Sequence, residues 1–420
     1  MQLNSKWNRR GFLATAGAIA GTLLSPRKLF SSNGKVAAKG VSVTGFGSTG
    51  NPYEELGVTT LINCEGTMTE LGGSLPHPEL EAVMAMAGRH FVSIPELEVA
   101  VGNRIVQMLK LSDAYSALVT SGAAAAIQSG LAGILTGSDE ALIRQLPDLT
   151  GMKSEVIIQK SHRNPFDHQL RSTGVKLVEI ETLDELRAAV NERTAMMHFT
   201  NFANAAGQIK VDEWVKLAKQ YNIPCMNDAA ADTPPVSHLW DYTNMGYDLV
   251  TFSGGKAIRG PQCAGLLIGR RELVANALLN NSPHEDTIGR SQKVGKEEIL
   301  GMVKALDLFL AEDHDALAQE WQGRLELISN EITKVGSVRT SFFVPDIANH
   351  VPHMRIAWDE SRISLTPQEA AKLLREAKPS IAISHGESQP GLSMNSFMLQ
   401  PGEDKIVATQ LSKLFREHMT

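Results

Sequence analysis

Between residues 116 and 252 short apolar runs alternate with helical ones, and no other feature constrains the fold of this chain as tightly. The runs at 116–119, 155–159, 176–180, 195–200, 224–228 and 249–252 have the length and composition of strands. Those reaching 135, and at 165–173, 183–190 and 211–221, have helical spacing. Such alternation predicts βαβ units, hence an α/β fold with a mainly parallel sheet and helices on both faces. Further helices are expected at 271–279, 296–311 and 316–335, followed by short strands and helices from 338 onward. Ligands of open α/β sheets gather beyond the carboxyl ends of the strands, so the residues after each run are where chemistry is sought.

Lys256 is the first of these. It lies in TFSGGKAIRGPQCAGLLIGR (251–270), between two glycine-rich turns and two apolar strands. A lysine on a tight loop at a strand end can form a Schiff base with a carbonyl, as pyridoxal phosphate chemistry requires. Alone, the same residues also describe a hairpin with a solvated lysine. Asp228 ends the buried run 224–228, where an acid is costly without a partner. It suits a protonated pyridine nitrogen, and equally an N-cap for the alanines that follow. After 116–119 come Thr120, Ser121, Gly122 and Ala123 to Ala126, small residues that bring backbone N–H groups and a helix N-terminus to an anion. They would serve an Ala-rich helix packed under a sheet as well. His162 follows the run 155–159 and could stack on a pyridine face, although a lone histidine there is more often structural. A basic, Gly-bracketed loop at 287–296, which includes Gly289 and Arg290, could contact a phosphate on a neighbouring subunit or simply cap the next helix.

The formal net charge of −6 and the lack of a Lys/Arg block beyond the N-terminus argue against a nucleic-acid surface. Cys64, Cys225 and Cys263 lack metal-ligand spacing, so no metal site is expected and the cysteines read as core residues. Arg9 and Arg10 precede an apolar, Ala/Gly-rich run to Leu24, and a small-residue site follows at Val36, Ala37 and Ala38. This resembles a twin-arginine export signal over 1–38, which predicts a bacterial periplasmic location, with cleavage or retention as an anchor both open. A linker is expected over 39–56. No other segment is apolar enough to cross a bilayer.

SGGKAIRGPQCAGLLIGR, NDAAADTPP, TSGAAAAI and GRSQKVGKEEI together resemble the fold-type I pyridoxal-phosphate enzymes, within them the group of bacterial selenocysteine synthase and D-glucosaminate-6-phosphate ammonia-lyase. The resemblance runs from about 57 to 310. It implies pyridoxal 5'-phosphate on Lys256, Asp228 on the pyridine nitrogen, and Ala230 beneath the ring. Ser121, Gly122 and Ala123 would hold the phosphate with help from Ser253, and Gly289 and Arg290 would complete the partner's site in a homodimer or larger homo-oligomer. It further implies a large cofactor domain with its N-terminal segment over 57–325 and a smaller α+β domain over 326–420. One departure concerns the substrate: the stretches 379–387 and 392–396 hold no Arg where the resemblance leads one to expect it. The function expected first is elimination, of ammonia or a β-substituent, from a small amine. Racemisation and transamination use the same residues. A selenium transferase acting on seryl-tRNA(Sec) conflicts with the export signal, and a catalytically silent assembly protein conflicts with the intact Lys256 and Asp228.

Overall fold

The computed structural model describes residues 50–385 and 391–420, so the arginine pair from which an export signal is expected lies outside the described residues. The chain divides into two units, Met1–Val58 and Thr59–Thr420. The described part of the first holds one helical turn, α1 (Pro52–Glu55), begun by its proline and capped by Asn51, whose Oδ1 accepts the Tyr53 N–H at 3.0 Å.

The second unit opens with β1 (Leu61–Asn63), α2 (Glu79–Ala87) and α3 (Ile94–Met108). β2 (Tyr115–Thr120) and α4 (Gly122–Thr136) follow, then β3 (Glu155–Gln159), β4 (Lys176–Ile180), β5 (Thr194–Thr200), β6 (Cys225–Asp228), β7 (Leu249–Ser253) and β8 (Gly265–Arg270). These last seven strands form one sheet in the order β2-β8-β7-β6-β5-β3-β4. From β7 through β4 the pairs are parallel. β8 runs antiparallel to both its neighbours, β7 and β2. The loop 254–264 holds no crossover helix, so the chain leaving β7 has to fold back rather than return in parallel. The run expected as a helix at 165–173 is instead a 3-10 turn (Pro165–Asp167) followed by a short helix (His168–Arg171), because Asn164 and Asp167 form a capping box around Pro165.

Every residue of β3 and β5 is buried, as expected of strands covered on both faces. On one face α4 packs closely against the sheet. A Cβ on Gly130 would lie 2.5 Å from Met226 Cε in the sheet, and one on Gly133 would lie 2.6 Å from the Ala277 nitrogen in the neighbouring helix Arg271–Leu279. Phe199, Trp214, Phe252 and Met302 fill the other face. At the sheet edge Glu98 of α3 accepts the Val119 N–H at 3.2 Å, blocking that edge to another strand. Burial pushes its carboxyl up to about 8.

β9 (Val338–Phe343), β10 (His353–Trp358), β11 (Ser380–Ala382), β12 (Ser384–His385) and β13 (Leu392–Asn395) belong to the C-terminal region. Four of them form an antiparallel sheet in the order β12-β13-β10-β9, while β11 pairs in parallel with β1 and so ties in the segment before the large sheet. Ile328, Met354, Ile356, Met394 and Phe415 make their common core. Among the described residues no helix is long and apolar enough to cross a membrane.

Candidate active site

The carboxyl ends of the central strands and the N-terminus of α4 enclose a cleft of about 250 Å³. Of the residues singled out in the sequence, Gly122, Ala123, Asp228, Ala230, Ser253 and Lys256 all line it. Strand-end placement brings them together across more than a hundred residues of chain.

Lys256 stands on the loop after β7, which is held from several sides. Gly254 N–H donates to Ala264 O at 2.9 Å and Gly260 N–H to Gly254 O at 2.8 Å. Ser74 N–H donates to Gly255 O at 2.9 Å, Arg259 Nε to Leu75 O at 2.9 Å, and Leu75 N–H to Met398 Sδ at 3.4 Å. The two glycines before the lysine permit this crowding: a Cβ on Gly254 would lie 2.5 Å from Met302 Sδ, and one on Gly255 would lie 2.0 Å from Gln262 Oε1. Arg259 holds φ at 54°, a left-handed value that a side chain tolerates only when its surroundings enforce it. Burial pushes the Lys256 amine below its ordinary range, and the charges of Asp228 and Asp232 act against that. A lysine so placed gives up its proton more easily than a solvated one.

Asp228 closes β6 and is 6% exposed. Its Oδ1 accepts the Ala230 N–H at 3.2 Å and the Thr251 hydroxyl at 3.4 Å. Burial raises its pKa above the usual carboxylate range, with Lys256 the main opposing influence. No donor among the described residues meets its Oδ2, which leaves one oxygen for a cationic N–H. The third component is the start of α4. Gly122 has φ 81° and nothing within 4 Å of where its Cβ would stand, so the space before the helix is open. Across the sheet a Cβ on Gly265 would lie 2.4 Å from the Gly122 carbonyl carbon, so glycine there lets β8 pass directly beneath the turn. An anion resting at Gly122 and Ala123 would meet N–H groups that have no partner within the helix.

Other expected residues lie elsewhere. His162 is fully buried in the short turn Lys160–His162 and does not line the cleft. Its Nδ1 accepts the Thr200 N–H at 3.2 Å and its ring stands edge-on to Phe199 at 4.5 Å, while burial lowers its pKa to about 4 and keeps it neutral. The stacking role is therefore corrected: the 3-10 turn carries the imidazole into the core. Ser121 precedes α4 without a side-chain capping bond and lies outside the cleft lining. Gly289 bridges to Asn281, and Gln292 of the same loop donates to Gln128 of α4. Neither Gly289 nor Arg290 lines this chain's own cleft, and the Arg290 guanidinium has no ion pair among the described residues.

The sequence reading passed over Thr69, Phe166, Phe202, Asp232, Gln262 and Ala348, which also line the cleft. Asp232 and Gln262 sit inside motifs already quoted and could have been found there. Ala348 comes from the C-terminal region and carries no local signal. Taken together, a half-buried lysine, a buried acid with one free oxygen and an open helix N-terminus fit pyridoxal 5'-phosphate. Each meets a different part of that molecule, respectively the carbonyl, the ring nitrogen and the phosphate.

Residues 99–289, which carry most of this cleft, match the aminotransferase class-V family. The D-glucosaminate-6-phosphate ammonia lyase of Salmonella typhimurium is 26% identical over 378 residues, 87% of this chain and 98% of its own. A solved D-glucosaminate-6-phosphate ammonia-lyase superposes with a TM-score of 0.76 at 26% identity, covering 88% of this chain and 99% of its own. The 5'-C-glycyluridine monooxygenase-decarboxylase of a Streptomyces species is 25% identical over 87% of this chain and 92% of its own. The L-seryl-tRNA(Sec) selenium transferase of Moorella thermoacetica is 30% identical over 54% of this chain and 52% of its own.

Proposed function

We propose that this chain, a pyridoxal-phosphate-dependent enzyme of fold type I, removes ammonia or a β-substituent from a small amino compound by elimination. The observation that carries the reading is the convergence of Lys256, Asp228 and the start of α4 on one cleft. When bound, the cofactor supplies a carbonyl that condenses with an amine and a ring that draws electrons from the adjoining carbon. Lys256 would hold that carbonyl until a substrate amine displaces it. Its free amine then takes the Cα proton, helped by the burial that makes it a better base at neutral pH. Asp228 would hold the ring nitrogen protonated through its free Oδ2, Gly122 and Ala123 would hold the phosphate with Ser253, and Ala230 would pack beneath the ring.

Elimination is favoured because the ammonia lyase relative is matched over 98% of its own length, whereas selenium transferases are matched over between 51% and 74% of theirs. Titrating purified protein with D-glucosaminate-6-phosphate and with simple α-amino acids, while following the visible spectrum and ammonia release, tests this. Ammonia and a carbonyl product are expected from at least one amine. A spectrum unmoved by every amine would sink the reading.

The arginine pair before the apolar run supports delivery to the periplasm by the twin-arginine route, which carries folded proteins with their cofactors. Changing Arg9 and Arg10 together to Lys is expected to leave folded protein in the cytoplasm. Periplasmic delivery of that double variant would refute the signal.

The unpaired Arg290, set away from its own cleft, supports at least a homodimer in which one chain's basic loop reaches the other's phosphate site. The apolar groove lined by Val83, Met86, Val92 and Leu300, with fully exposed Phe91 nearby, is suited to burial between copies. Light scattering on active protein is expected to give twice the chain mass or more, and an active monomer would end the idea.

A further inference from the structure

One wall of the cleft comes from far along the chain. Ala348 lines it, from the loop 344–352 that joins β9 to β10. The Ala348 N–H donates to Asp232 Oδ1 at 3.0 Å, and the Asn349 N–H donates to Ala231 O at 2.8 Å. Asp232 is 1% exposed and is anchored through its other oxygen. Tyr242 donates to Oδ2 at 2.9 Å, and Asn201 Nδ2 donates to the same atom. One carboxylate thus joins the sheet-bearing region to the C-terminal loop, with a backbone amide on one side and two side chains on the other. The loop is bent sharply at this contact. Ala348 has φ 59° and Asn349 φ 49°, two consecutive left-handed residues that both carry a Cβ. L residues avoid that conformation, so it survives only where neighbours hold it. The paired bonds to Asp232 and Ala231 are those neighbours.

We propose that Asp232 is a positioning residue which latches the loop 344–352 as one wall of the cleft, so that Ala348 limits the size of the amine that can enter. The assignment rests on the cleft being the amine site. An N–H bound to a carboxylate is stronger than one bound to a neutral acceptor, and this one is shielded from water by the burial of Asp232. The aromatic side chains of Phe166 and Phe202 also border the opening, so release of the loop frees space where the non-reacting part of a substrate would lie.

Hydroxylamine and O-benzylhydroxylamine attack the same lysine-bound cofactor and quench its visible band, but differ in bulk. The wild-type protein is expected to discriminate against the larger reagent. In Asp232→Ala and Ala348→Pro that discrimination, read as the ratio of the two rates, is expected to fall about tenfold, the scale set by losing one charged hydrogen bond, and in Ala348→Pro, which keeps the Asp232 charge near Lys256, the hydroxylamine rate changes little. Ala348→Pro removes the donor and cannot hold a positive φ, and it leaves the sheet untouched should Asp232→Ala fail to fold. Asp232→Asn is expected to restore discrimination. Its Oδ1 still accepts the Ala348 N–H, and Asn201, whose own Oδ1 is buried without a partner, can turn its amide to accept from the new Nδ2. Hydrogen exchange on the unloaded chain reads the latch without the cofactor, and the Ala348 and Asn349 amides should exchange about tenfold faster in Asp232→Ala. Unchanged discrimination in Ala348→Pro, or unchanged exchange in folded Asp232→Ala, overturns the proposal. A wild-type chain with no visible band, whose Ala348 amide nevertheless loses protection in Asp232→Ala, sinks the cofactor reading and leaves the latch standing.

Discussion

Lys256→Ala is expected to abolish the visible absorbance band of the purified protein and to lower turnover by at least about a thousandfold, the scale on which positioned proton transfer acts. Two proposed roles would end with that one side chain, the covalent hold on the cofactor and the base for the Cα proton. The loop itself should survive, because its shape comes from backbone bonds, from Gly254 and Gly255 and from Arg259, none of which involves the lysine side chain. Cofactor is then expected to remain in the cleft through Asp228 and the start of α4, but to wash out on dialysis. Borohydride reduction of the wild-type chain followed by mass spectrometry should place the pyridoxyl group on the peptide containing Lys256. An adduct on any other lysine, or none, would return the chain to the reading of a silent assembly protein.

Asp228→Asn is expected to retain cofactor and to slow Cα proton loss by roughly two to three orders of magnitude, the range seen when one preorganised charge contact is removed from an active site. An amide cannot hold the ring nitrogen protonated as a carboxylate does. The unloaded protein should respond in the opposite direction. Burial raises the Asp228 pKa in the folded chain, so the folded state binds that proton more tightly than the unfolded state does. Stability from this group is therefore complete below the ordinary carboxylate range and is lost as pH rises towards the raised value. At neutral pH the unloaded Asn variant is expected to melt higher than the unloaded wild type, with a flatter pH dependence. Hydrogen–deuterium exchange at substrate Cα measures the first effect and calorimetry the second. A variant that exchanged Cα protons at the wild-type rate would remove Asp228 from the chemistry.

What could be read from the sequence follows from how local each decision is. The limits of β3 and β4 match the expected strands residue for residue: β3 is buried throughout and declares itself by its apolar centre, while the edge strand β4 keeps only Ile180 buried and is marked by the β-branched and apolar residues between Lys176 and Ile180. Lys256 and Asp228 were legible for a related reason: strand ends are marked in the sequence, and this sheet type gathers ligands there. The reversed direction of β8 was marked not by its composition but by the short, Gly-rich connection before it, which leaves no room for a crossover helix. For His162 the position after a strand was visible, while the 3-10 turn that buries its side chain in the core was not. Ala348 and Thr69 were out of reach altogether. Their place at the cleft depends on the pairing of β1 with β11 and on the loop between β9 and β10, contacts that span hundreds of residues.

The bonds that shape the Lys256 loop also set the order in which the protein can be made. Arg259 reaches back 184 residues to Leu75, and Leu75 in turn reaches Met398, 323 residues ahead of it. A chain still emerging from the ribosome has β7 and its lysine long before it has Met398. Until the last helix is released, the loop lacks one of its supports, and closing so long a circuit is slow. Cofactor capture is therefore expected to follow release of the C-terminal residues. The proposed twin-arginine route, which carries folded proteins, would meet the chain only after that step.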